Sequence, residues 1–147
     1  MRYPSKIGEV LEYISQEITN TETFNDTPIF YDFIELDANN LPPSCIVYKP
    51  LEWQYDISQC HYERQLDIVL LITDEDRREG IIGQLNMFSE KLDETMRDVA
   101  MTAPFYLQFL QGSPIQAFAY NRKSSDSYKE TNQLFSSMVV LSYLLRY

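Results

Sequence analysis

His61-Tyr62-Glu63-Arg64-Gln65-Leu66-Asp67-Ile68-Val69-Leu70-Leu71-Ile72-Thr73 is the stretch that decides the fold. Tyr62, Arg64, Leu66, Ile68, Leu70 and Ile72 share one face at period two, and Glu63, Gln65, Asp67, Val69, Leu71 and Thr73 share the other. The first half is one-sided, whereas the second half is apolar on both faces. A strand buried on both sides lies inside a sheet, so this segment predicts the central strand.

Upstream of it, Cys45-Ile46-Val47-Tyr48 predicts a neighbouring strand. Ile29-Phe30-Tyr31-Asp32-Phe33-Ile34-Glu35-Leu36 predicts another, joined to it as a hairpin through the turn formers of Asp37-Ala38-Asn39-Asn40-Leu41-Pro42-Pro43. Pro50 lacks a donor, so residues 50–59 are expected to form an edge extension or a loop. At the beginning of the chain, Pro4 suits the first turn of a helix. Ile7, Val10, Leu11, Ile14 and Ile18 then recur at helical spacing, predicting a helix over 4–19.

Downstream, Thr73-Asp74-Glu75-Asp76 breaks the strand and is predicted to cap a helix over 76–101. Its apolar stripe is Ile81, Ile82, Leu85, Phe88, Leu92, Met96 and Val99, with Gly80 and Gly83 inside the helix. Residues 105–110 are apolar but too short to assign. A strand over 115–120, a polar loop over 121–127 and an alternating strand over 133–147 complete the chain. The order α-β-β-β-α-β-β describes a single α+β domain over 1–147, one mainly antiparallel sheet flanked by two helices.

Composition narrows the function classes. The 147 residues amount to about one domain, and the formal net charge is −10. So acidic a surface repels phosphate, which excludes gripping a nucleic acid by its backbone and disfavours anionic membranes. The longest unbroken apolar run is Ile68-Val69-Leu70-Leu71-Ile72, far short of the ~20 residues that span a bilayer. No apolar leader follows Met1, so the expected compartment is cytosolic, with Cys45 and Cys60 as free buried thiols.

Catalytic constellations fail one by one. An Asp followed by a Glu-x-Lys pair would suit a metal-dependent nuclease, but no lysine has Glu two residues before it, which leaves Asp67 a plain acid. Zinc needs about four converging ligands, and the neighbours Cys60 and His61 would point to opposite faces of a strand. His61 is the only histidine, and no serine sits in a nucleophile motif. Gly8, Gly80, Gly83 and Gly112 form no phosphate loop. Asp74, Glu75 and Asp76 read as helix-capping acids, with loose Mg²⁺ binding as the alternative. No enzymatic activity and no cofactor are expected.

Two features speak for assembly instead. Val69, Leu71, Met138 and Val140 put apolar groups on the sheet face that two helices cannot also cover. Either the sheet curls on itself or a second subunit packs there; a homo-oligomer is expected, with these four residues as interface candidates. Arg122, Lys123 and Lys129 bracket a serine-rich loop, the one locally basic patch. That loop is either a solvated hairpin tip or a contact with an acidic partner.

The succession of elements resembles the tail terminator, or tail-to-head joining, proteins of long-tailed bacteriophages. The resemblance runs through the helix over 4–19, the Pro-led strand Pro43-Ser44-Cys45-Ile46-Val47-Tyr48 and the central strand Arg64-Gln65-Leu66-Asp67-Ile68-Val69-Leu70-Leu71-Ile72. It continues through the acidic break, the helix over 76–101 and the two closing strands. It covers essentially the whole chain, as a pattern of elements without invariant catalytic residues. The resemblance implies a virion structural protein of the tail and neck, assembled in the host cytoplasm. It implies a homo-oligomeric ring, commonly a hexamer, that caps the tail tube, joins the head-connector protein and lets DNA pass through its lumen. Either the acids of the second helix or the cluster Asp74, Glu75 and Asp76 would then line the lumen, where like charge lets DNA slide. Another ring or adaptor protein of the phage neck, or a small cytosolic enzyme with an unrecognised site, are the alternatives.

Overall fold

The computed structural model describes residues 5–36, 42–56, 61–74, 80–122 and 132–147. Helix α1 spans Lys6–Thr19; Ser5 caps it, its Oγ accepting the Gly8 N–H at 3.1 Å. Val10, Leu11, Ile14 and Ile18 form its buried stripe, as their spacing predicts. A 3-10 turn over Glu22–Phe24 follows and buries the Phe24 ring edge-on against Phe88, with centroids 5.9 Å apart.

The predicted strand over 29–36 shrinks to β1, Ile29–Phe30, followed by a 3-10 turn at Phe33–Glu35. The cause is local competition. Beyond Phe30 the backbone bonds locally: Glu35 Oε2 accepts the Tyr31 N–H at 2.9 Å, and the Glu35 and Leu36 N–H groups donate to the Asp32 and Phe33 carbonyls. β1 also runs parallel to its neighbour β2, Ser44–Asp56, so the expected hairpin does not form.

β3, His61–Asp74, is the central strand, antiparallel to β2 on one side and to β6, Asn132–Arg146, on the other. Because β3 continues to Asp74, Thr73 and Asp74 pair with Ser136 and Phe135 and do not cap the next helix. Thr73 is further held by its N–H and Oγ1, which donate to the carbonyls of Pro43 and Pro42. Helix α2 begins at Ile81 and runs to Thr102, later than the predicted start at residue 76. Gly80, with φ of 94°, is its N-cap and lies outside the helix; this left-handed conformation suits glycine. Ile82 leaves the predicted apolar stripe for solvent, and Thr95 joins Leu85, Leu92, Met96 and Val99 in the interior.

The unassigned segment after α2 is β4, Tyr106–Gly112, followed by β5, Gln116–Arg122. Both pair antiparallel with β6, β4 along 141–146 and β5 along 132–138, so they lie end to end on one edge. Ser113 bridges the gap: its N–H donates to the Val140 carbonyl, and its Oγ accepts the Val140 N–H at 2.9 Å. The six strands run β1-β2-β3-β6-β4, with β5 beside β6. The α+β class with a mainly antiparallel sheet therefore holds, with one strand more than expected.

Both helices cover one face. Leu66, Ile68 and Leu70 of β3 stand directly opposite Tyr143, Leu141 and Val139 of β6, and all six belong to the core cluster with α1 and α2. The far face carries a second cluster of Cys45, Val47, Val69 and Leu71, with Phe30, Leu36, Met138 and Val140 packed against it. The core is thus two-sided across the sheet.

Candidate interaction surface

The predicted interface residues occupy that second cluster. Val69 and Leu71 are only 2% and 4% exposed within the single chain, so the expectation that they present an uncovered face does not hold. Phe30 and Leu36, from β1 and the turn after it, pack against them. Met138 and Val140, opposite Leu71 and Val69 on β6, are half-buried. Of the acids expected at the helix start, Asp74 ends β3, while Glu75 and Asp76 lie outside the described residues. Arg122 ends β5, and Lys123 and Lys129 lie outside the described residues.

Cys45 is a buried free thiol, its pKa pushed up to about 11 because burial disfavours the thiolate. Cys60 lies outside the described residues, and His61 begins β3 exposed to solvent. Asp67 accepts hydrogen bonds from Ser142 Oγ at 2.7 Å and Gln65 Nε2 at 3.2 Å, which ties β3 to β6. Among the described residues no three His, Cys, Asp or Glu side chains converge as a metal site, and no helix is long and apolar enough to cross a membrane.

One end of the sheet gathers aromatic and basic groups. Tyr62 stacks on Tyr147 with centroids 5.7 Å apart, and Lys6 Nζ lies 5.8 Å from the Tyr62 ring. Arg146 pairs with Glu63 at 2.7 Å and lies over the Tyr106 ring. An open cleft of about 510 Å³ is lined by Ser5, Lys6, Ile7, Tyr62, Arg64 and Tyr147. Lys6 and Arg64 are donors only, and Ser5 Oγ is engaged in capping α1. The cleft therefore offers positive charge but no activated nucleophile.

The surface that sequence reasoning missed is the outer edge of β4. Only Leu107 of this strand is buried; Tyr106, Phe109 and Leu110 are 42–48% exposed. Edge strands are ordinarily guarded by charge, above all lysine. β4 has none. A signal for it was present in the sequence, because residues 99–121 form the longest uncharged run of the chain.

No protein-family model matches the chain, and no curated protein is significantly similar to it.

Proposed function

We propose that this chain is a virion structural protein of the tail-terminator kind: a ring of identical subunits, six in the expected form, capping a tail tube and joining it to the head connector. The observation that carries the reading is a mainly antiparallel sheet ending on an exposed, uncharged edge strand, β4, in a chain of net charge −10. Such an edge is suited to contact between protein subunits. The acidity suits a passive conduit for DNA.

Native mass spectrometry tests the assembly. A closed ring of identical subunits is expected, alone at high concentration or when the end of a tail tube is supplied. A chain that stays monomeric in both conditions overturns the reading. A separate outcome is expected with duplex DNA at physiological salt: no measurable affinity, because the net charge of −10 opposes phosphate contact. Tight, steeply salt-dependent binding in a fluorescence-anisotropy titration contradicts the conduit.

A further inference from the structure

The sheet has two edges, and over one half of its height both are open among the described residues. β1 covers the outer side of β2 only at Ile46 and Val47. From residue 48 to residue 56 no described strand lies outside β2, and none lies outside β4. These two open segments stand at the same level. Pro50 of β2 is opposite Leu66 of β3, Leu66 is opposite Tyr143 of β6, and Tyr143 is opposite Phe109 of β4.

Both edges are irregular at that level. The β2 register shifts after Pro50, at Leu51 and Glu52, and the β4 register shifts after Phe109, at Leu110. Leu51 is 43% exposed and Leu110 44%, so each irregularity presents a leucine to solvent. Direction matches as well. Strand sense alternates from β2 through β3 and β6 to β4, so a β2 placed beyond β4 in the same orientation continues the antiparallel alternation.

We propose that the β4 edge of one copy packs along the 48–54 edge of β2 in the next copy, head to tail, with the exposed Leu110 of one against the exposed Leu51 of the other. Pro50, which has no N–H to give, makes this a side-chain contact. The inference rests on the ring reading and names its contact. A second copy is the occupant because the open edges of one chain match each other in level, direction and exposed leucine. Two chains of net charge −10 also meet most easily along the uncharged β4 edge. Joining unlike edges makes a heterologous contact, the kind that closes into a ring when its rotation permits.

Two single variants and their combination test the contact. Leu110→Lys and Leu51→Glu alter exposed side chains, and circular dichroism is expected to show both folded as wild type. Each alone is expected to weaken assembly ~10-fold or more, because a lone charge is brought into an apolar edge contact. The double variant Leu51→Glu with Leu110→Lys is expected to regain assembly, since every junction then sets Glu against Lys. Single variants that assemble like wild type overturn the edge contact while leaving the ring reading intact. Loss with Leu110→Lys but not with Leu51→Glu assigns β4 to a two-fold contact with itself and overturns the head-to-tail packing. A double variant that stays dissociated also overturns it. A wild type that never assembles removes the ring reading and this inference together.

Discussion

Replacing Leu70 by alanine is expected to destabilise the fold by about 2–5 kcal/mol, the range for truncating a fully buried leucine. Leu70 lies on β3 between Ile46 of β2 and Val139 of β6, and its side chain is fully enclosed in the core under the helices. The interior at this point is walled by strands on both sides, so the vacated volume collapses poorly and the cavity adds to the lost transfer energy. Leu110→Ala, at an exposed edge position, is expected to change stability by no more than about 0.5 kcal/mol. Chemical denaturation of the two variants checks both values. A Leu70→Ala loss under about 1 kcal/mol contradicts the placement of β3 at the centre of the sheet.

Stability is also expected to fall steeply above pH 9. Three buried groups hold protons that the unfolded chain releases more readily. Burial raises the Tyr48 phenol above its ordinary value of 10.0; the hydrogen bond with Ser15 Oγ at 3.1 Å opposes the shift, and nearby Tyr31 adds to it. Tyr143 is raised first by burial and then by the Asp93 carboxylate, which accepts its hydroxyl hydrogen bond at 3.2 Å, with Arg97 opposing. Cys45 moves from 9.0 to about 11 by burial. In each case the folded value lies above the unfolded one, so the unfolded state binds fewer protons at alkaline pH. The stabilisation is complete below the unfolded values and is lost as pH rises from 9.0 to about 11 for Cys45 and from 10.0 upward, toward their raised folded values, for the tyrosines. Each group contributes up to about 1.4 kcal/mol per pH unit within its window. Urea midpoints measured from pH 7 to 11 are expected to hold and then drop, less steeply in Tyr48→Phe and Tyr143→Phe. A flat profile to pH 11 contradicts the burial of these hydroxyls.

The elements read well from sequence are those whose pattern repeats within their own length. The two-sided alternation of β3 marked it as central before its neighbours were known. The stripes Val10-Leu11-Ile14-Ile18 and Leu85-Leu92-Met96-Val99 marked the buried faces of α1 and α2. Periodicity is a local property, and hydrophobic burial enforces it residue by residue. The charge of −10 was legible in the same direct way.

What the tertiary structure decided are the features set by a distant partner. β4 buries Leu107 alone, so it carries no alternation to read, and it is a strand because β6, with pairing residues 29 to 40 positions later in the chain, lies beside it. β1 stops at Phe30 because the chain turns into local hydrogen bonds at 31–36, a choice that apolar content does not record. Val69 and Leu71 read from sequence as uncovered, yet Phe30 and Leu36 pack against them once β1 lies parallel to β2. Most of all, an open edge is defined by which strand has no neighbour. That depends on the order β1-β2-β3-β6-β4, and strand order follows from long-range pairing, which no local pattern of side chains specifies.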